Sequence, residues 1–372
     1  MKILELILRP ALGGAESLAA DLTDVWRSEG HQVDLVALDP PTATTDTETI
    51  QSRLGGPIPA VTSSTGQRNI QRLRGLRRHI QSEQYDVVHA HSLIPNLYLR
   101  MAILGMANRP RCVVTLHSAS LVSDYQSLAV RTLERLLFPV TDVIISVSEE
   151  NRSSYERLFP QFSRKLHVIE NGIHFNHDVK SESTTTRPTK FIAISRLARQ
   201  KDIETLLKGF DRFHQDGNQS AFLTIAGPWE SREYQAEIEQ IWQSLTCRDH
   251  IEFIGPTSKA QDLLAESDVY LSASRREASG YPIAVLEALG MGLPVVMTNT
   301  GQGTDLKSGV LTFHIGDPAS MARALSYLNE HWEQFANMAR SSAISIRDDH
   351  GIESVSMSYY TLIHRFSSSR YH

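Results

Sequence analysis

Cysteine is nearly absent from this 372-residue chain: Cys112 and Cys247 are the only two, far apart and each in an apolar or mixed segment. That excludes a disulfide framework and a cysteine zinc cluster, and the usage fits a reducing cytoplasm. Long hydrophobic runs are missing too, none reaching the roughly 18 apolar residues of a membrane span. The opening "MKILELILRPALGG" has a short apolar run but no small-residue cleavage site, and it leads straight into a patterned helix, so export is not expected. Neither sign of charge dominates, with 37 Lys and Arg against 42 Asp and Glu for a net charge of −5, so no nucleic-acid partner follows. Short-period repeats and low-complexity tracts are also lacking, which excludes solenoids and arrays. What remains, 41% hydrophobic and 21% charged, is the composition of a soluble globular protein. Its length suits two domains of about 150 to 200 residues.

Short apolar runs alternate with longer amphipathic ones. Strands are predicted at 3–8, 32–37, 86–89, 111–116 and 142–147, with helices such as 15–29, closed by Gly30, and 66–82 between them. The polar stretch "HDVKSESTTTRPTK" reads as a linker, with a boundary near 178–189. The same rhythm then restarts, with strands predicted at 191–194, 222–226, 250–254, 269–272, 294–298 and 309–313. Alternation of this kind argues an α/β chain of two doubly wound, Rossmann-like domains, 1–178 and 190–345, whose strand-end loops hold the ligand. The last helical run, from Ile352 to Phe366, has an apolar stripe of Val355, Tyr359, Leu362 and Ile363 that must be buried.

Three loops carry candidate chemistry. In "LRPALGGAESLAADL" a strand ends, Gly13 and Gly14 permit close backbone approach, and a helix begins near Ala15; exposed amides there suit a phosphate, and a plain tight turn explains the same residues. Asp39 follows at a distance that would suit a ribose in a dinucleotide fold, but the glycine spacing is wrong for one. In "AISRLARQKDIETLLKGF" a strand is followed by Arg196 and Lys201 just before a helix, a place for a diphosphate, or for merely solvated cations. In "SASRREASGYPIAVLEALGMGLPVV" a glycine turn precedes a helix carrying Glu287. That carboxylate can accept hydrogen bonds from ribose hydroxyls or simply favour its helix.

These pieces, with "DVVHAHS", "VTLHS", "TDVIISVSEE", "VIENGI", "FIGP" and "SDVYLSAS" in order over nearly the whole chain, resemble the retaining GT-B glycosyltransferases of glycosyltransferase family 4. The resemblance implies two Rossmann-like domains facing a central cleft, with the C-terminal helix, 352–372, crossing back onto the N-terminal, acceptor-side domain. It implies that Arg196 and Lys201 bind the diphosphate of a nucleotide sugar, a UDP-sugar for preference, and that Glu287 holds the ribose. Gly14 would bring amides near the distal phosphate, with Gly13 beside it, and His117 would lie beside the transferred sugar. The loop from Gly280 through Tyr281 and Pro282 to Ile283 would hold sugar hydroxyls or phosphate. The family's first glutamate falls at Ser279 here, so the nearby Glu277 is the acidic candidate for the donor sugar.

The reaction implied is transfer of a hexosyl group with retention to a glycan or lipid-linked acceptor, in polysaccharide or glycoconjugate synthesis. Arg196, Lys201 and nearby amides would stabilise the leaving phosphate in place of a metal, so no cofactor is expected. Among metal alternatives, "DTE" at Asp46 to Glu48 lies in a polar loop, and His89 and His91 of "HAH" lack a third ligand. Two other functions share the fold: a nucleotide-sugar epimerase, and a non-catalytic partner subunit that binds glycan. Finally, "RNIQRLRGLRRHI" gathers Arg68, Arg72, Arg74, Arg77 and Arg78 on one helix whose Ile70, Leu73, Leu76 and Ile80 form a stripe. Such a helix rests either on the anionic inner face of a membrane or, stripe inward, on its own core.

Overall fold

A computed structural model of the chain describes residues 1–10, 14–41, 57–61, 69–117, 124–181, 186–276, 282–300 and 309–365. The chain divides into two compact units, the division falling at His174 and Phe175.

The first unit is a six-stranded, wholly parallel sheet of β1 (Lys2–Ile7), β2 (Gln32–Ala37), β3 (Val87–His91), β4 (Arg111–Leu116), β5 (Val143–Ser146) and β6 (Leu166–Val168), in the order β2-β1-β3-β4-β5-β6. Helices α1 (Gly14–Ser28), α2 (Asn69–Glu83), α3 (Leu93–Ile103), α4 (Leu128–Leu137) and α5 (Glu149–Leu158) lie along its crossovers. Alternation sorts the strand residues onto two faces. Leu4, Leu6, Val88, Ala90 and Val114 pack with Leu76 and Ile80 of α2 and Leu99 of α3. Ile3, Val87, Val113, Val143 and Ile145 pack with Leu18, Leu22 and Trp26 of α1. Arg100 of α3 and Glu134 of α4 form a buried two-pronged ion pair, at 2.8 and 2.7 Å, to which Tyr155 donates its hydroxyl at 2.6 Å.

The second unit repeats the plan with β7 (Lys190–Ile194), β8 (Phe222–Ala226), β9 (Ile251–Gly255), β10 (Val269–Ser272), β11 (Val295–Thr298) and β12 (Val310–Phe313), all parallel, in the order β12-β11-β10-β7-β8-β9. Helices α6 (Ile203–Gln215), α7 (Arg232–Gln243), α8 (Ala260–Glu266), α9 (Ile283–Gly290), α10 (Pro318–Glu330) and α11 (Trp332–His350) flank it. Its core runs from Phe191, Phe210 and Phe213 to Trp332 and Phe335. The chain reverses its direction of travel across the sheet between β7 and β10, which places a crevice outside the carboxyl ends of those strands.

The segment that reads as linker is partly taken up by this second unit, the amide of Lys180 donating to the carbonyl of Met291 at 3.0 Å. The terminal helix α12 (Ile352–Arg365) belongs with the first unit. It buries Ile352, Val355, Tyr359 and Ile363 against the α1 side of the first sheet, each such aliphatic side chain contributing about 1.5 to 3 kcal/mol. Gly172 admits it closely: a Cβ there would stand 2.9 Å from Ile352 Cδ1 and 3.0 Å from Val355 Cβ.

Candidate nucleotide-sugar site

The Arg196 loop leaves the carboxyl end of β7, beside the point where the sheet order reverses. Its backbone is fixed from both sides. Ser195 N donates to Ala226 O at 3.0 Å, Leu197 N to Pro228 O at 2.8 Å, and Arg275 N to Gln200 O at 2.8 Å. Gly227, at φ +140°, is what lets the loop lie so low, since a Cβ there would stand 1.8 Å from the carbonyl oxygen of Ser195. The loop ends in a single 3-10 turn, Arg199–Lys201, and then Asp202, a non-glycine residue in the left-handed region at φ 49°. Asp202 caps α6 by accepting from Thr205 N at 3.3 Å and Thr205 Oγ1 at 2.8 Å, and it is also paired with Arg275 at 3.0 Å. The start of α6 therefore already holds an anion of its own. A diphosphate here would meet the Arg196 and Lys201 side chains beside a helix start whose Thr205 amide is already taken by Asp202.

The cations of this loop differ in their engagement. Arg199 is paired with Glu237, and Arg275 with Asp202. Arg196 is exposed and, among the described residues, has no carboxylate partner. Lys201 is half-buried.

Glu287 is half-buried on α9, the helix that leads from β10 to β11. Buried Gln261 of α8 donates Nε2–H to its Oε1 at 3.1 Å, while Gln261 Oε1 accepts from Asn176 N at 2.8 Å. The carboxylate is thus oriented by an amide that is itself held. Pro282 is the cap residue of α9 and Ile283 its first residue. Glu277, Ser279, Gly280, Tyr281, Gly13, Arg68 and the "DTE" stretch lie outside the described residues.

In the first unit, Gly14 opens α1 and is exposed. His117 follows β4 and belongs to a polar cluster at the carboxyl ends of β1, β3 and β4. Register explains the cluster: Glu5 pairs with His89 and His91 with Thr115, so all four side chains share the face whose floor is Ile3, Val87 and Val113. His89 Nδ1 lies 3.0 Å from Glu5 Oε1, and His91 Nε2 lies 2.6 Å from Glu5 Oε2. Beyond them, His89 Nε2 lies 2.7 Å from Thr115 Oγ1, and His91 Nδ1 lies 3.0 Å from His117 Nε2. Desolvation pushes the pKa of each of the three imidazoles down to about 3 and that of the Glu5 carboxyl upward.

The sequence offers His89 and His91 no third metal ligand, whereas the fold supplies Glu5, with the ligand atoms of all three within 4.8 Å of one another. Yet each carboxylate oxygen faces its own imidazole nitrogen and each remaining nitrogen has a partner, so hydrogen bonding already accounts for the arrangement.

Asp39, already discounted on its glycine spacing, stays outside the site, and the basic helix proves partly engaged. Asp39, at 1% exposure, is no ribose ligand: it accepts from Arg9 at 3.3 Å and from Arg72 at 2.9 Å. Of the basic helix, Arg72 is tied up in this way and Arg77 caps α3 by donating to the carbonyls of Ala102 and Leu104 at 2.7 and 2.8 Å. Leu76 and Ile80 face the core, leaving Arg74 and Arg78 exposed. Glu5, Gly227 and Gln261 are the site residues that sequence reasoning missed. Only Glu5 left a signal, a lone charge within an apolar strand.

Two parallel six-stranded units with their loops at the carboxyl strand ends define the GT-B fold, and solved structures agree. The Anabaena protein Alr3699/HepE, crystallised with UDP and glucose, superposes with a TM-score of 0.79 at 16% identity, over 98% of this chain and all of that one. The lipopolysaccharide outer core galactosyltransferase WaaB gives 0.69 at 14% identity, over 98% of this chain and 99% of that one. "Glycosyltransferase Family 4" matches residues 12–177 and "Glycosyl transferases group 1" residues 188–331. The chain belongs to glycosyltransferase family 4, among the group 1 glycosyltransferases. It is 25% identical over 296 residues to N-acetyl-alpha-D-glucosaminyl L-malate synthase of Bacillus anthracis, covering 76% of this chain and 75% of that protein. It is 20% identical over 277 residues to the O-antigen biosynthesis glycosyltransferase WclY of Escherichia coli, covering 70% of this chain and 74% of that protein.

Proposed function

We propose that this glycosyltransferase takes a hexosyl group from a UDP-sugar and passes it, with retention and without a metal, to a glycan or lipid-linked acceptor. The observation that carries the reading is the Arg196 loop: a backbone fixed over Gly227, at the reversal of the second sheet, presenting an exposed guanidinium without a carboxylate partner among the described residues. As the bond to the sugar loosens, charge builds on the leaving diphosphate. Arg196 as a planar fork and Lys201 as a point charge stabilise it from fixed positions, at little reorganisation cost. Glu287, oriented by Gln261, takes the ribose hydroxyls. His117 of the first unit touches the transferred sugar, and Gly14 supplies an amide near the distal phosphate. The solved relative that holds UDP and glucose supports the choice of donor.

The protein works in the cytoplasm in this reading. Among the described residues no helix is long and apolar enough to cross a membrane, and Arg74 and Arg78 are the exposed cations with which α2 would meet an anionic surface.

Donor hydrolysis tests the proposal. UDP release from a panel of UDP-sugars without acceptor is expected to be slow, sugar-selective and indifferent to EDTA. Loss on chelation with recovery on adding Mn²⁺ would refute the metal-free part, and a protein that neither binds nor hydrolyses any nucleotide sugar would refute the whole.

A further inference from the structure

The buried cluster of the first unit has a fixed proton inventory. A neutral imidazole has one donor nitrogen and one acceptor nitrogen, and an ionised carboxylate only accepts. Burial keeps the three imidazoles neutral near pH 7, their pKa values lying at about 3. With Glu5 ionised, His89 donates Nδ1–H and His91 donates Nε2–H to the two carboxylate oxygens. Thr115 must then donate to His89 Nε2. His91 Nδ1 is left as an acceptor, so His117 must donate its Nε2–H, and His117 Nδ1 becomes a bare lone pair. Among the described residues Nδ1 has no partner of its own.

One added proton reverses one arm of this chain. A proton taken up at His117 Nδ1 releases Nε2–H to His91 Nδ1, and His91 in turn releases its Nε2–H to Glu5 Oε2. The result is a neutral carboxyl, two neutral imidazoles of opposite tautomer, and an N–H at His117 Nδ1. No imidazolium persists. Desolvation already favours the neutral form of Glu5. From the elements packed on this face, α12 brings Tyr359, whose ring lies 5.6 Å from that of His89 and whose hydroxyl, close enough to feel the Glu5 charge, is kept neutral chiefly by burial, and α1 contributes apolar Leu18 and Leu22 to the same layer.

We infer that Glu5 is a positioning residue: through His91, its protonation state sets whether His117 offers a lone pair or an N–H at Nδ1 to a hydroxyl of the bound sugar. The inference rests on the proposed place of His117 beside that sugar. Glu5→Gln mimics the protonated state, because the amide can donate to His91 Nε2 while its carbonyl accepts from His89 Nδ1.

Imidazole ¹⁵N correlation spectra of the full-length protein test this, with the His117 signals identified by their loss in His117→Gln. As the pH is lowered the wild type is expected to pass from the Nε2–H to the Nδ1–H tautomer when Glu5 takes up its proton, with neither nitrogen pattern passing through an imidazolium. Glu5→Gln is expected to stay in the Nδ1–H form throughout. In that variant the affinity for UDP-sugar should change about tenfold, as for one hydrogen bond gained or lost, while that for UDP does not. A His117 tautomer that is the same in both proteins at every pH overturns the inference, as does a stoichiometric metal ion lost with the Glu5→Gln change. If Glu5→Gln does not fold, the wild-type titration decides alone, a fixed tautomer being the contrary result. Failure to bind any nucleotide sugar would remove the function reading and leave the spectra to decide the relay.

Discussion

Replacing Gly227 with alanine would test how the Arg196 loop is held. The added Cβ would begin 1.8 Å from the Ser195 carbonyl oxygen, whereas carbon and oxygen settle at about 3.3 Å or more. The backbone beside Arg196 must therefore yield by about 1.5 Å. The backbone at φ +140° adds about 1 to 3 kcal/mol of strain for any residue with a Cβ. A displacement of about 1 Å at a positioned group costs on the order of a hundredfold in function. Gly227→Ala should thus lower the stability of the second unit by about 2 to 4 kcal/mol in denaturant titrations. UDP affinity, measured by calorimetry on protein that remains folded, should fall by about 10- to 100-fold. Gly217→Ala is the control, because Gly217 also has a positive φ, +96°, but nothing within 4 Å of its Cβ position. It should cost stability and leave UDP binding alone. Wild-type UDP affinity in folded Gly227→Ala would refute the reasoning.

Two further predictions concern stability. Glu134→Ala would leave Arg100 buried without its partner and take an acceptor from Tyr155, at a cost of about 3 to 5 kcal/mol in chemical denaturation; a loss below about 1 kcal/mol would contradict it. Burial raises the Glu134 pKa, but Arg100 outweighs it and holds the group below its ordinary value, so this contribution is present above the unfolded pKa and is lost as pH falls through the folded one. His89 and His91 are held neutral by burial, with pKa values of about 3, so their contribution is complete above about pH 6.5 and declines on acidification by up to about 1.4 kcal/mol per pH unit each. Glu5, raised by burial, works the other way, its contribution being lost as pH rises through its folded pKa. His117 is held down in the same way, so three imidazoles stand against one carboxyl and denaturation midpoints should fall between pH 7 and about pH 5; a flat or rising profile would contradict the neutral cluster.

Eleven of the twelve strands were legible because buried parallel strands read as short apolar runs, whatever they pair with. The exception, β6, is only three residues with His167 at its centre, too short to show any period. The cations of the Arg196 loop could be read because chemistry and position both lie in one local stretch. What holds them could not, since Gly227 meets Ser195 across the sheet and Gln261 reaches Glu287 from another helix. The Glu5 cluster failed for a related reason: its members are contiguous only once β1, β3 and β4 are paired in register. The arginine helix was legible in part: its Leu76 and Ile80 face the core as one of its two readings has it, but Arg72 and Arg77 look solvated until Asp39 and the end of α3 come beside them.

The central claim is that the second unit holds a nucleoside diphosphate through Arg196 and Lys201 and its ribose through Glu287. Calorimetric titration of UDP into the wild type, Arg196→Ala, Lys201→Ala and Glu287→Gln tests it most directly, with melting temperatures as the control for folding. Each cation removed should weaken UDP by about 10- to 100-fold, as for a lost charge-assisted hydrogen bond. Glu287→Gln should weaken UDP while leaving inorganic pyrophosphate unaffected. Unchanged UDP affinity in folded Arg196→Ala and Lys201→Ala would contradict the account.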